Sequence, residues 1–274
     1  MRGIPRFVSD DAYAANFSFE WNRFAATQLD SASGKTISEG RFQQSLDFPL
    51  SELKGKLVLD AGCGMGRFAE IVAKHGGTVV GADISYAVDA AARNLAPHGH
   101  AHVVQADLRH LPFQKGAFDL IYSLGVLHHT PDARRTFEAV LPFLKPGGKI
   151  SITLYAGYNP AYVFSTTLWR KLTTRMPSKL VYYASHLAIP AYHLYRLPVV
   201  GLVGQALFPI AMHPDPEWRL LDTFDCYSPK YQSYHTHPEV YRWFRDNGLT
   251  DVTVLEPGIS FIATRPETVV SRAS

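Results

Sequence analysis

Three aspartates close three apolar runs, at Asp60, Asp83 and Asp107, and the first opens a loop with glycine at every second position. The stretch reads Leu57-Val58-Leu59-Asp60-Ala61-Gly62-Cys63-Gly64-Met65-Gly66. Glycines at 62, 64 and 66 let the backbone turn sharply and let a ligand come into contact with it. A strand, a glycine loop and a helix start in that order hold a nucleotide-like ligand. Dinucleotide loops have glycine where Asp60 stands, so the leading acid sets this loop apart. Asp83 suits the two hydroxyls of a ribose, because one carboxylate accepts from both; the alternative is a capping or surface acid at a strand end. Asp107 and Leu108 suit the edge and face of an adenine, with Ile84 on the other face; the alternative for Asp107 is a turn aspartate.

A proton acceptor has two sources. His128 and His129 follow the fourth strand, where either could take a proton from a hydroxyl, or could pack and hydrogen-bond instead. Residues 222–237 hold the other candidates. There Tyr227, Tyr231, Tyr234, His235 and His237 read as the lining of a substrate pocket or as a Tyr/His network bracing a lid. Phe19 and Trp21, in Phe17-Ser18-Phe19-Glu20-Trp21, read as a flap over the ligand or as core filling. The histidines show no zinc spacing, and no metal site is expected.

The elements that must position these residues alternate. Strand patterns fall at 57–60, 78–82, 101–105, 118–122 and 149–154, with helix patterns at 67–74, 85–95 (Ser85 as N-cap) and 132–144. Such alternation implies parallel pairing, hence an α/β, doubly wound sheet. Residues 251–255 and 260–264 read as an antiparallel hairpin closing the sheet edge, turned by residues 256–259. The organisation expected is an N-terminal helical cap over 1–50, a core over 51–157 and 248–266, and an aromatic helical insertion over 158–247. Within it, residues 180–195 and 197–212 carry no Asp, Glu, Lys or Arg. Both runs contain Pro and are too short for a confident span. They cap the site or meet a lipid interface.

The chain has 274 residues, is 46% hydrophobic and 19% charged, and carries net charge +3. That composition supports a sizeable core and argues against disorder. The charge is too weak to argue for nucleic acid. Two cysteines, Cys63 and Cys226, form no disulfide framework, and Cys63 fills a place that wants a small side chain. A cytoplasmic location fits, with peripheral membrane contact through residues 180–212 as the added possibility; the start, Met1-Arg2-Gly3-Ile4-Pro5, lacks the apolar core of a signal peptide.

Together, Val58 to Gly66, Asp83, Asp107 before Leu111-Pro112-Phe113, Phe118 to Ser123, Leu127-His128-His129 and Leu144-Lys145-Pro146-Gly147-Gly148 resemble a class I S-adenosylmethionine-dependent methyltransferase. The sequence is most similar to the group holding the ubiquinone and menaquinone biosynthesis methyltransferases, over about residues 55–155 and the closing hairpin. The resemblance implies a Rossmann-like seven-stranded sheet and S-adenosylmethionine as cofactor. Asp60, Cys63 and the backbone of residues 62–66 would face its methionine part, Asp83 its ribose, Asp107 and Leu108 its adenine. Ser123, Leu124 and Gly125 would lie near the sulfonium. An acid at Asp60 suits a cationic cofactor and repels a pyrophosphate. The expected acceptor is small or medium and partly hydrophobic, methylated on oxygen first and carbon next. A nucleic-acid or protein methyltransferase and a non-catalytic cofactor-binding module are the alternatives. The Asn/Asp-Pro-Pro-aromatic motif of amino methylation is absent at Ser123-Leu124-Gly125-Val126. Asp83→Ala is expected to weaken cofactor binding by about 1.5–3 kcal/mol, the range for hydrogen bonds to a charged group. Calorimetric titration checks this, and unchanged affinity would remove the ribose assignment.

Overall fold

Leu57–Ala61 (β1) is an interior strand: four of its five residues are buried, and it pairs on both edges. The computed structural model describes residues 3–8, 14–256 and 258–267. Ahead of β1 come α1 (Ala15–Arg23), α2 (Asp30–Ser33) and α3 (Ile37–Gln44). After it the chain alternates: α4 (Arg67–Lys74), β2 (Thr78–Asp83), α5 (Val88–Leu95), β3 (Ala101–Gln105), β4 (Phe118–Leu124), α6 (Ala133–Val140) and β5 (Leu144–Leu154). Five helices follow: α7 (Pro160–Thr173), α8 (Ser178–Ser185), α9 (Ala188–Tyr195), α10 (Pro198–Leu207) and α11 (Pro216–Tyr227). Then α12 (His237–Asp246), β6 (Thr250–Leu255) and β7 (Ile259–Thr264) close the fold.

The sheet order is β3-β2-β1-β4-β5-β7-β6. The first five strands run parallel, and β7 pairs antiparallel with both β5 and β6. This is the expected doubly wound, seven-stranded, Rossmann-like sheet with its antiparallel closing hairpin. The turn residue Pro257 lies outside the described residues. Side chains alternate between two cores. Val58, Val103, Leu120 and Ile262 pack with Phe42 of α3 and Ile71 of α4. Their neighbours Leu59, Val104, Ile121 and Phe261 pack with Phe137 of α6 and Phe244 of α12. A strand buried on both faces needs such unbroken apolar runs.

Register sets where the site can be. Asp60 pairs with Gly81 and Tyr122, and Ala61 with Ala82, so the carboxyl ends of β1, β2 and β4 lie level. Chain order reverses between β1 and β4, and ligands bind beyond the carboxyl ends at such a switch point.

Three local expectations change. Ser85 does not cap a helix over 85–95, because α5 begins at Val88 after Ala87; the Ser85 hydroxyl turns back to Asp83 at 2.7 Å. The helix expected over 132–144 ends at Val140, because Pro142 carries the chain into a short 3-10 turn, Leu141–Phe143. β5 begins at Leu144 instead of Lys149, with an irregular pairing to β4 where Gly147 takes φ +75°. Asp132 caps α6 by accepting from the Arg135 amide. The segment 158–247 does not pack as one body: α11 joins α8 through Val181, Tyr182, Leu221 and Phe224, whereas α12 buries Val240, Trp243 and Phe244 under the sheet. No helix among the described residues is long and apolar enough to cross a membrane.

Phe244 is fully enclosed and touches the rings of Phe137 and Phe261 at centroid distances of 4.9 and 5.6 Å. Phe244→Ala is expected to lower stability by roughly 3–5 kcal/mol. Urea unfolding followed by circular dichroism checks this, and a loss under 1 kcal/mol would place α12 outside the core.

Candidate active site

The glycine loop is built by contacts that exclude side chains. Gly62 has φ +93°, and a Cβ there would meet Val126 at 2.3 Å. Gly66, at φ +89°, caps the start of α4. Between them Cys63 sits over Gly81 of β2, where a Cβ would lie 2.8 Å from its sulfur. That fit explains a small residue at 63. Asp83 fastens the loop: its carboxylate accepts the Gly64 amide at 2.9 Å, the Ser85 amide at 2.8 Å and the Ser85 hydroxyl. Burial still raises its pKa, against the pull of those donors.

A cavity of about 420 Å³ opens beyond these strand ends. Of the residues expected at the cofactor, Gly62, Cys63, Gly64, Asp83, Ile84, Leu108, Leu124 and Gly125 line it. Trp21 and His129 line it too. Trp21 lies over the loop, 3.3 Å from where a Gly64 Cβ would be.

The other expected residues are placed elsewhere. Asp60 is buried behind the loop, its Oδ2 has no hydrogen-bond partner, and burial first, then Asp83, pushes its pKa up to about 7. Gly66 shapes the loop without facing the cavity. Ser123 donates to the Ala61 carbonyl at 2.7 Å and binds β4 to β1. Asp107 is not among the residues lining the cavity: Arg109 takes both of its oxygens, at 3.1 and 2.6 Å, and it caps the short turn that follows. Against burial, those Arg109 bonds hold its pKa low.

The aromatic expectations are corrected in the same way. Phe19 packs on Tyr182 and Phe224. Tyr227 donates to the Pro209 carbonyl at 2.6 Å, and the Tyr234 hydroxyl meets Thr166 at 2.7 Å. His235 is held between Ser233 and Glu239, at 2.8 and 2.9 Å, and His237 meets the Tyr158 hydroxyl at 3.0 Å. Tyr231 contributes its backbone carbonyl. The polar tips of Tyr227, Tyr234, His235 and His237 thus already have protein partners, as a bracing network would give them.

His128 and His129 part company. His128 is fully enclosed and stacks on Tyr155 at 3.8 Å, with neither ring nitrogen hydrogen-bonded. Burial first, then His129, drives its pKa well down, so it stays neutral. His129 places Nδ1 3.1 Å from the Tyr231 carbonyl. A carbonyl only accepts, so Nδ1 carries the proton and Nε2 keeps its lone pair. Nε2 has no hydrogen-bond partner and lies 3.9 Å from Asp225 Oδ2. Burial lowers the His129 pKa, and Asp225 opposes it.

Four lining residues were not singled out from sequence. Glu20 of α1 is fully enclosed, and neither carboxylate oxygen has a partner. Asp222 and Asp225 reach in from α11, and the Tyr155 hydroxyl donates to Asp225 at 2.7 Å. Asp222 and Asp225 lay inside the segment read through its tyrosines and histidines, and the i,i+3 spacing of two acids on one helix was the available signal. Glu20 and Tyr155 offered none, because their burial depends on elements far along the chain.

The pieces fit S-adenosylmethionine: a glycine cradle that side chains cannot enter, a carboxylate at the second strand end, apolar Ile84 and Leu108 beside it, and carboxylates suited to cationic groups. Residues 59–152 match the family described as "Methyltransferase domain". The ubiquinone biosynthesis O-methyltransferase of Coxiella burnetii is 35% identical over 115 residues, which is 41% of this chain and 49% of that protein. That of Pseudomonas aeruginosa is 34% identical over 119 residues, 41% of this chain and 50% of that protein. The chain thus spans about half the length of the curated relatives it matches. Among solved structures, an S-adenosylmethionine-dependent methyltransferase from Mesorhizobium loti gives TM-score 0.50 at 19% identity, covering 85% of this chain and 98% of that one. One from Methanosarcina mazei gives 0.50 at 18%, covering 83% and 98%. These likenesses show the fold. Residues 59–152 thus resemble a methyltransferase domain, and the sheet that holds them has the fold of solved proteins described as S-adenosylmethionine-dependent methyltransferases, which points to S-adenosylmethionine as the cofactor.

The buried acids of the cavity wall make stability depend on pH. Burial first, then Asp225, raises Asp222 to about 7, and burial with both aspartates raises Glu20 well above its ordinary value. A carboxyl whose folded pKa is raised stabilises the fold below its unfolded value, near 4, and loses that contribution as pH rises to the folded value. Asp222→Asn is expected to gain thermal stability over the unsubstituted cofactor-free protein between about pH 4 and 7, levelling off above. Scanning calorimetry at several pH values reads the difference in Tm, and a constant difference would contradict it.

Proposed function

We propose that the protein moves a methyl group from S-adenosylmethionine to a hydroxyl oxygen of a small or medium, partly apolar acceptor, with His129 as general base. The observation that carries this reading is the unpartnered Nε2 of His129, a residue of the cavity wall, in the tautomer that Tyr231 imposes. When bound, S-adenosylmethionine supplies a methyl carbon on a sulfonium, an excellent leaving group. The residues then have three tasks: align the acceptor, exclude water and take its proton.

His129 Nε2 accepts the hydroxyl proton as the oxygen–methyl bond forms. The imidazolium that results stands beside Asp225, whose charge stabilises it, and Tyr155 holds Asp225 in place. A neutral histidine at pH 7 suits the task, and its lowered pKa keeps it neutral. Phe17, Val126, Ile210 and Leu221 give the cavity apolar walls, while Glu20 and Asp222 offer polar contacts for acceptor hydroxyls. The helices of residues 158–227 serve as the lid that closes this space. The curated relatives are named as O-methyltransferases, which supports oxygen as the acceptor atom.

With methyl-tritiated S-adenosylmethionine and a panel of alkyl-substituted phenols and catechols, transfer to a hydroxyl is expected. His129→Ala is expected to lower kcat by about 10²–10⁴-fold while cofactor affinity by calorimetry holds. Transfer to no hydroxyl, or unchanged kcat in the variant, overturns the reading.

A further inference from the structure

Amphipathic helices normally turn their apolar stripe inward. In α7, Phe164, Leu168 and Leu172 recur at every fourth residue, and they are 71, 53 and 57% exposed. In α10, Val199, Leu202, Val203 and Leu207 follow helical spacing and are 75, 76, 50 and 56% exposed. The middle of α7 is tied to the end of α10: the Ser165 hydroxyl and the Trp169 indole both donate to the Leu207 carbonyl, at 2.8 and 2.7 Å. Both stripes are thus exposed on helices that pack together, and exposed apolar surface of this kind marks a site of association.

Charge says what covers it. Between Tyr155 and Asp215 the chain has no Asp or Glu and has Arg170, Lys171, Arg175, Lys179 and Arg196. Arg170 turns inward to the Cys226 and Pro229 carbonyls. The other four are exposed, and none joins an ion pair among the described residues. The segment carries +5 while the whole chain totals +3, so the remainder is net negative. Exposed apolar stripes in a segment whose only charges are cationic match an anionic lipid surface. A second copy related by a two-fold axis would set like charges against each other.

We propose that α7 to α10 dock the protein on the surface of an anionic phospholipid bilayer, lying in its interface without crossing it. The chain runs from Leu207 and Phe208 directly into Pro209, Ile210 and Ala211 of the cavity wall. Docking therefore sets the lid against the membrane, and the surface stands whether or not oxygen is the methylated atom.

Co-sedimentation of the full chain with vesicles tests this without turnover. Binding to vesicles of phosphatidylcholine with phosphatidylglycerol is expected to exceed binding to phosphatidylcholine alone by tenfold or more, and to weaken with salt. Val199→Glu with Leu202→Glu is expected to lower partitioning at least tenfold with cofactor binding retained. Lys171→Gln with Arg175→Gln and Lys179→Gln, a second variant at exposed positions, is expected to erase the preference for anionic lipid. No sedimentation with anionic vesicles, equal binding to both lipids, or a stable dimer by light scattering that the glutamate variant dissolves each overturns the proposal.

Discussion

The Gly64 amide donates to the Asp83 carboxylate, and the shape of the site depends on that bond. It joins the loop after β1 to the tip of β2, beside the Gly62 and Cys63 amides, which donate to the Ala82 carbonyl, and Asn94, which donates to the Met65 carbonyl. A buried carboxylate is costly unless donors surround it, and Ser85 supplies two more. With the loop fixed, Cys63 seats on Gly81, Gly62 leaves room for Val126, and Trp21 closes over Gly64. Register brings these tips level in the first place. Parallel pairing thus decides the place of the site, and Asp83 decides its form.

Above that floor the cavity concentrates groups that fold at a cost. Glu20 and Asp222 are driven toward their neutral forms by burial first and then by the neighbouring Asp225. Asp60 is similarly raised beneath the loop. Strain of this kind gathers where a ligand will later relieve it, and a cofactor with cationic groups is suited to do so. Glu20 comes from α1 and the aspartates from α11, so the roof closes only when the two ends of the chain meet. His129 is the exception in being fixed from behind, by a backbone carbonyl that a mutation of the Tyr231 side chain would leave in place.

The core was legible because its signals are local. Apolar runs of strand length, glycines at 62, 64 and 66, and acids at the strand tips each lie within a few residues of the feature they specify. The helix boundaries were less so. Ser85 looked like a cap until Asp83 competed for its hydroxyl, and Pro142 ended α6 early. The aromatic segment misled for a physical reason: tyrosine and histidine carry an apolar body and a polar tip, so they serve a packed network as well as a pocket. Tyr234 and His235 satisfy their tips on Thr166, Ser233 and Glu239.

By itself, the sequence determined the sheet, its winding and the cradle for S-adenosylmethionine, because periodicity and turn chemistry act between near neighbours. Only the tertiary structure decided which histidine faces the cavity, that Asp107 belongs to Arg109, and that Glu20, Asp222 and Asp225 share a roof. Those outcomes depend on side-chain direction and on contacts some two hundred residues apart, as in the approach of Gln28 to Asp222. The same holds for the apolar stripes of α7 and α10. Helical spacing shows that a stripe exists, and only packing shows that it faces outward.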